Sequence, residues 1–326
     1  MGVMTDSVSK TRHPAWQSGL AWAKAVISIG LLWFLFTRYD FAEAAGRLVA
    51  IDPAWLAVTG TIYGVMILMA TVRWWTILAA LGESIAPRPA FGIVLIGLFF
   101  NQILPSNMGG DAMRIWRVHR LGSRLGRAIG SVMLDRVVAI VALAFLVLVM
   151  LPLSTRMIDD PVIVGTFAAF IAAVFAGLAV LLLLDRFILL ARRILPGRIV
   201  DATNALARDS RTVLLNRASG SAVTLLAFAN HLLFVLMAMA LARGLGIPAG
   251  FADFLVLIPP VVVASVLPLS FAGWGIREGA MIALLGAVGI GASEALSLSV
   301  AIGLVVLAGA LPGGIVWLAT GNRTRR

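Results

Sequence analysis

The sequence predicts an all-α, polytopic integral membrane protein with six full spans and two broken, re-entrant helix pairs arranged as an inverted repeat. Three observations predict this. The 326 residues are 61% hydrophobic and 13% charged, with a mean hydropathy of +1.01, whereas soluble domains carry about 25% charged residues. The apolar runs are continuous rather than alternating, which favours helices over a membrane β-barrel. Two short apolar runs end in polar segments that contain Pro and Gly.

Six apolar runs are each long enough to cross a hydrocarbon core about 30 Å thick. They cover residues 20–37, 54–81, 128–151, 162–184, 220–243 and 294–318. No small-residue cleavage site precedes the first run, so we expect it to be retained as a signal anchor. The sequence thus predicts a single transmembrane domain over 20–320, between polar tails at 1–19 and 321–326.

Two further apolar runs, 90–104 and 251–267, are short, and each leads into a polar segment. Backbone left unpaired in hydrocarbon is costly, so irregular backbone there must lie inside protein or against water. We therefore predict that each polar segment is the tip of a re-entrant helix pair that lines a cavity. Both segments have a Leu-Pro followed by Ser, two glycines and an Arg nine residues after the proline, namely Pro105 to Arg114 and Pro268 to Arg277.

The distribution of basic residues predicts the orientation. If both broken segments are re-entrant, the arginine-rich stretches 114–127, 185–217 and 323–326 lie on one side together with both termini. If the first broken segment crossed the membrane, the arginines of 185–217 would lie outside, against the positive-inside rule. We therefore expect both termini in the cytoplasm of a bacterium, with the domain in its inner membrane.

This topology makes two halves of opposite direction, about 54–151 and 220–318. The span 162–184 and the basic cytoplasmic segment 185–217 join them. Inverted halves are the arrangement that secondary transporters use for alternating access to a site near the bilayer midplane.

The polar residues of the two tips and of the third span are the candidate substrate-binding site. Half-helix N-termini offer free N–H groups to a phosphate, glycines let backbone approach a ligand, and arginines bind phosphate oxygens in pairs. The alternative is that the ionised groups only neutralise one another and nearby backbone. The candidates are Asn101, Gln102, Pro105, Ser106, Asn107, Gly109, Gly110, Asp111, Arg114, Asp135, Arg136, Ser270, Gly273, Gly275, Arg277 and Glu278.

Three full spans carry further polar residues. Asp135 and Arg136 are adjacent, and since neighbours on a helix do not face one another, each needs its own partner inside the bundle. For Arg73, beside two tryptophans, we favour snorkelling to the membrane interface over a functional role. For Asn230 and His231, in the middle of a span, we favour hydrogen bonding within the core.

Several chemistries are absent from the sequence. It has no Cys, only three widely separated His, and no HExxH, GxSxG, P-loop or Asp-x-Asp motif. We therefore expect no enzyme activity, no metal and no cofactor. The net charge of +11 fits membrane topology and anionic headgroups better than nucleic acid.

The segments Asn101–Arg114, Leu134–Arg136 and Leu267–Gly279 together resemble the lysylphosphatidylglycerol synthase transmembrane-region family. This is the flippase-like domain at the N-terminus of the multiple peptide resistance factor, and stand-alone members include a hopanoid-associated group. The resemblance covers about residues 20–320 and implies a lipid-translocating domain with two re-entrant elements. The soluble aminoacyl-transferase domain of the fused members has no counterpart here, so we expect no aminoacyl transfer.

The function that we predict is a lipid flippase that moves an anionic or polyprenyl-phosphate-type headgroup between leaflets. The alternatives are a membrane enzyme acting on polyprenyl-phosphate-linked sugars, and a non-transporting partner of a lipid-synthesis complex. The expected partner is a membrane phospholipid or a polyprenyl or hopanoid lipid, not nucleic acid, and a homo-oligomer is left open.

Overall fold

The structure is a computed structural model, and all regular secondary structure in the residues that it describes is α-helical. It describes residues 26, 29–31, 33, 34, 37–39, 41–104, 109–184, 186, 196–266 and 273–321. Within these ranges we number eleven helices: α1 (Phe41–Val49), α2 (Pro53–Ala80), α3 (Pro87–Ile103), α4 (Gly109–Arg120), α5 (Leu125–Met157), α6 (Pro161–Leu182), α7 (Gly197–Leu214), α8 (Arg217–Gly244), α9 (Phe251–Val266), α10 (Ile276–Gly286) and α11 (Ala292–Gly321).

Five of the described helices, α2, α5, α6, α8 and α11, are long and apolar enough to cross a membrane. They correspond to five of the six predicted spans. The first predicted span, 20–37, lies mostly outside the described residues. Local sequence explains where three of the five begin, because the side chains of Asp52, Asp160 and Asn216 accept hydrogen bonds from first-turn amides of α2, α6 and α8, as N-cap residues do.

The first broken pair is a helical hairpin, as predicted. At about 1.5 Å per residue, α3 (17 residues) and α4 (12 residues) are both shorter than the ~30 Å hydrocarbon core. Arg88 at the start of α3 and Arg120 at the end of α4 line the same groove. At the other end of the pair, Gly110 lies against Gly97, so closely that a Cβ on Gly110 would overlap the Gly97 carbonyl oxygen. The chain therefore enters and leaves at one end of the bundle.

One boundary of this pair differs from the prediction. The sequence placed Pro87 and Pro89 in a connection and began the helix at residue 90, whereas α3 begins at Pro87. Proline is accepted in the first turn of a helix because the N–H that it lacks has no intrahelical partner there.

The second pair, α9 and α10, has 16 and 11 residues. The two helices pack against each other, and Pro260 and Ala264 of α9 line one cavity with Ala280 and Leu284 of α10. The intervening residues 267–272 lie outside the described part. α10 begins directly after Gly275, whose φ of +90° belongs to the left-handed region that favours glycine.

Two hydrogen bonds identify the two ends of the bundle, one between backbone groups and one between side chains. The amide of Asp52, before α2, donates to the carbonyl of Gly244, at the end of α8, over 3.1 Å. Arg117, at the end of α4, donates to the Thr320 hydroxyl, at the end of α11, over 3.0 Å. We call the end with Arg117 and Thr320 the basic end, because the arginines between residues 114 and 127 cluster there. The two hairpins enter from opposite ends.

The helix packing follows a two-fold pattern. α2 packs on α8; α3 packs on α11 as α9 packs on α5; and α4 packs on α5 as α10 packs on α11. Each contact in the first half thus has a counterpart in the second, as an inverted repeat requires. Small residues permit the close approaches: a Cβ on Gly313 of α11 would overlap the Leu95 carbonyl oxygen of α3.

Candidate functional site

The first charge cluster joins three helices around two aspartates. We define it as Arg73 on α2, Asp111 and Arg114 on α4, and Asp135 and Arg136 on α5. Asp135 Oδ1 accepts from Arg73 Nε over 2.8 Å, and Asp135 Oδ2 accepts from Arg114 Nη2 over 2.8 Å. Asp111 accepts from Arg136 Nε over 2.8 Å and from Arg136 Nη2 over 3.1 Å. The predicted separate partners of Asp135 and Arg136 are therefore present.

Arg114 links the two halves of this cluster. Its Nη1 lies 3.5 Å from Asp111 Oδ1 while its Nη2 bonds to Asp135. Counting the five members, three guanidinium groups face two carboxylates, which leaves one formal positive charge. An excess of guanidinium groups over carboxylates suits an anionic ligand, because guanidinium groups bind phosphate and carboxylate oxygens in pairs.

The surroundings of Arg114 hold it in place. Its Cζ lies 4.3 Å from the centroid of the buried Trp74 ring, a cation–π geometry. Trp74 Nε1 in turn lies 3.4 Å from Ser131 Oγ on α5. A Cβ on Gly97 would come within 3.0 Å of the Arg114 side chain. Arg114 is therefore positioned by α2, α3 and α5 together.

Exposure differs sharply within the first cluster. The side chains of Arg73 and Arg114 are 10% and 11% exposed, whereas that of Arg136 is 40% exposed. A ligand that reaches the cluster therefore meets Arg136 first.

Polar groups on the two sides of the first hairpin's tip form a hydrogen bond with each other. Asn101 Oδ1 accepts from the Gly110 amide over 2.8 Å, and Asp111 lies in the first turn of α4, where a carboxylate is stabilised by the helix dipole. Gln102 is half-buried beside this contact. A Cβ on Gly109 would collide with Leu104. Pro105, Ser106 and Asn107 lie outside the described residues.

The second charge cluster comprises Gly275, Arg277 and Glu278 at the start of α10, with Ser299 on α11. Glu278, fully buried, accepts from the Gly275 amide over 2.6 Å and from Arg277 Nη2 over 2.6 Å. Ser299 Oγ lies 3.0 Å from both Glu278 Oε1 and Arg277 Nε. Its two ionised groups cancel, so this cluster is neutral, which agrees with the alternative that its charges neutralise each other and nearby backbone.

Arg114 and Arg277 occupy matching places in the two halves. Each lies on the returning helix of a hairpin and reaches across to a polar residue on the following long helix, Asp135 or Ser299. Each also lies over a tryptophan, with Arg277 Cζ 4.7 Å from the Trp274 centroid. The repeat predicted from the two motifs is thus visible in side-chain geometry, with a carboxylate in one half where the other has a hydroxyl.

Seven of the predicted site residues belong to the two clusters, each of which has its own ion pairs: Asp111, Arg114, Asp135 and Arg136 in the first, and Gly275, Arg277 and Glu278 in the second. Gly273 lies close to Ser265 of α9, before the second cluster. Ser270 is outside the described residues. That one headgroup contacts both clusters stays a prediction.

The favoured interpretation of Arg73 was wrong. It does not extend to the interface but is buried and bonded to Asp135. Its partner lies 62 residues away on another helix, so no local pattern in the sequence could identify it. Ser131, Trp274 and Ser299 were also missed, although serines in apolar spans are the signal that could have identified two of them.

Asn230 and His231 have the structural role that we favoured. Asn230 Nδ2 donates to the Met66 carbonyl over 3.3 Å, and His231 Nε2 lies 2.9 Å from the Ala139 carbonyl oxygen. They tie α8 to α2 and α5.

Comparison with known proteins agrees with these features. The family model of the lysylphosphatidylglycerol synthase TM region matches residues 21–313, a range that includes both clusters. A UPF0104 membrane protein of Methanothermobacter thermautotrophicus is 23% identical over 324 residues, with 90% of each chain covered. The chain belongs to the family of the lysylphosphatidylglycerol synthase transmembrane region.

Proposed function

We propose that this protein is a lipid translocase of the bacterial cytoplasmic membrane that moves a phosphate-bearing anionic headgroup between leaflets and catalyses no covalent step. The observation that carries the proposal is the first cluster, where three arginines surround two aspartates inside a membrane bundle. Ionisable groups at such depth are costly and mark substrate pathways.

The cluster offers a stepwise route for a phosphate. The headgroup first contacts Arg136, whose side chain is half-exposed. Its phosphate oxygens then replace Asp111 as the acceptor of the hydrogen bonds that the Arg136 guanidinium donates. Arg guanidinium and phosphate form paired, charge-assisted hydrogen bonds. The acyl or polyprenyl chains stay in the surrounding lipid.

The two inverted halves supply the alternating access to each leaflet that a translocase needs. The first hairpin enters from the basic end and the second from the other end, so rocking of one half against the other exposes the site to each leaflet in turn. In this structure the Arg277 guanidinium of the second cluster is already paired with the Glu278 carboxylate. We place both termini and the basic end on the cytoplasmic side, in accord with the positive-inside rule.

A leaflet assay in proteoliposomes tests the proposal. The assay uses three fluorescent lipids, namely phosphatidylglycerol, a polyprenyl phosphate and phosphatidylcholine. Each is reconstituted with wild type, with Arg136→Gln or with Arg243→Gln. Arg243→Gln is the control, because Arg243 is an exposed arginine at the other end of the bundle. We expect wild type to move an anionic lipid faster than empty vesicles do. Arg136→Gln should slow it by about tenfold or more, since a charge-assisted hydrogen bond contributes roughly 1.5–3 kcal/mol.

The outcomes separate the alternatives. Equal movement in wild-type and empty vesicles for both anionic lipids would overturn the proposal and favour an enzyme or a non-transporting partner. Equal loss in Arg136→Gln and Arg243→Gln would overturn the assignment of the first cluster as the headgroup site.

A further inference from the structure

A groove at the basic end combines arginines with an apolar wall. It has a volume of about 960 Å³ and lies where the start of α3 meets the ends of α4 and α11. Arg88, Arg117 and Arg120 line its outer part, with Trp116 among them. No carboxylate is among its lining residues in the described part of the chain. We call it the basic-end groove.

Arg117 and Arg120 of this groove lie close together, and neither forms an ion pair with a residue in the described part of the chain. The guanidinium carbons of Arg117 and Arg120 lie 5.3 Å and 5.1 Å from the Trp116 centroid. Burial, and then the neighbouring charge of Arg120, lower the pKa of Arg117. Arg117 Nε is buried and has no hydrogen-bond partner among the described residues, although Nη2 of the same side chain donates to Thr320. A bound anion would relieve both the repulsion and the unsatisfied donor.

The deeper part of the groove is apolar. Phe91, Ile96 and Val316 line it, and a Cβ on Gly92 of α3 would be in ordinary van der Waals contact with Val316 Cγ1 of α11, at 3.5 Å. A soluble anion gains nothing from such a wall, whereas a lipid can place its phosphate on the arginines and its chain along the wall. Tryptophan at the boundary is typical of the membrane–water interface.

We propose that the basic-end groove is a binding site for an anionic phospholipid, with the phosphate on Arg88, Arg117 and Arg120 and one acyl chain along the apolar wall that α3 and α11 form together. This site is separate from the first charge cluster and does not depend on translocation by the protein. A lipid bound there joins the first hairpin to the last span.

Native mass spectrometry of the full-length protein in detergent tests the site. Wild type is titrated with phosphatidylglycerol and with phosphatidylethanolamine of the same chains, and with soluble glycerol phosphate as competitor. The test variant is Arg88→Gln with Arg120→Gln, two exposed side chains at the groove. The matched control is Arg156→Gln with Arg243→Gln, which removes the same charge from exposed positions at the other end of the bundle.

We expect phosphatidylglycerol to bind wild type more tightly than phosphatidylethanolamine, and the groove variant to lose about tenfold or more of that affinity. The control pair, which removes the same charge from the other end of the bundle, should retain it. Equal loss in the groove and control variants would overturn the proposal, as would equal binding of the two lipids. Displacement of the lipid by equimolar glycerol phosphate would show an anion site without a lipid chain and would also overturn it.

Discussion

Asp135 joins two other helices through its two carboxylate oxygens, with Arg73 of α2 on one and Arg114 of α4 on the other. It is buried, so its ionised form depends on both arginines. The sequence indicated that Asp135 needs a partner but could not identify it, because the partners come from helices that only the tertiary fold brings together.

Replacing Asp135 should destabilise the protein strongly. Asp135→Asn leaves the buried guanidinium groups of Arg73 and Arg114 without their shared carboxylate, and removing one partner of a buried ion pair costs about 3–5 kcal/mol. Thermal unfolding in detergent measures the loss of Tm, with the exposed Asp159→Asn as control. The double variant Asp135→Asn with Arg73→Gln should lose less than the sum of its single variants. Additive losses would contradict the coupling.

The first hairpin is the element that creates the cluster, since it returns Asp111 and Arg114 toward α5. Its existence was predictable from a short apolar run followed by Pro and Gly. Its tip geometry was not, because the contact of Gly110 with Gly97 and Asn101 depends on how α3 and α4 cross.

Gly110→Ala should open this hairpin. The added Cβ would overlap the Gly97 carbonyl oxygen and press on the Asn101 side chain, and overpacking of a tight contact costs about 1–3 kcal/mol or more. We expect a lower Tm and a loss of lipid movement. Gly126→Ala, where a Cβ meets nothing within 4 Å, is the control and should leave Tm equal or slightly higher. Equal behaviour of the two variants would contradict the close approach.

The amphipathic helix α7 contacts α2, α5, α6 and α8. The stability of this contact depends on pH through the ionisation of Asp209. Asp209 lines a cavity with Arg124, Arg127 and Arg208. Burial raises the pKa of Asp209 although Arg127 and Arg208 lower it. The folded protein therefore holds this proton more tightly than the unfolded chain, and the ionised carboxylate costs stability once the pH exceeds the folded-state pKa.

Asp209→Asn should accordingly raise Tm at pH 7, and the gain should shrink as the pH falls toward 4. Thermal unfolding across this range measures the difference from wild type. Asp201→Asn, an exposed position on the same helix, is the control. A gain at pH 7 that stays constant down to pH 4 would show that the effect is not linked to ionisation of Asp209.

The whole molecule is an inverted pair of halves. Its fold class was predictable because the hydrophobic composition, the lengths of the apolar runs and the positions of the basic loops each limit the possible membrane topologies. The asymmetry between the halves was not predictable, since it depends on which polar residue each hairpin arginine reaches, Asp135 in one half and Ser299 in the other.

The absence of Cys makes the orientation directly measurable. Single cysteines are introduced at two exposed loop positions, Leu121→Cys at the basic end and Asp159→Cys at the opposite end. In intact spheroplasts a membrane-impermeant maleimide should label residue 159 and leave residue 121 unlabelled until the membrane is permeabilised. Labelling of both from outside would contradict the crossing of the membrane by α5, which lies between the two positions. The reverse pattern would contradict the cytoplasmic placement of the basic end, on which the re-entrant first hairpin rests.

The three arginines and two aspartates of the first cluster also set how a transmembrane voltage acts on the protein. In the proposed translocation cycle, a monoanionic headgroup would balance the one formal positive charge of these five residues, so the loaded site would move through the electric field as a neutral unit. The empty site would carry one positive charge, for which a full crossing corresponds to about 2.3 kcal/mol per 100 mV. The proposed function thus predicts that an inside-negative potential leaves the loaded step unchanged and holds the empty site toward the cytoplasm, which would make the return of the empty carrier the electrogenic step of the cycle.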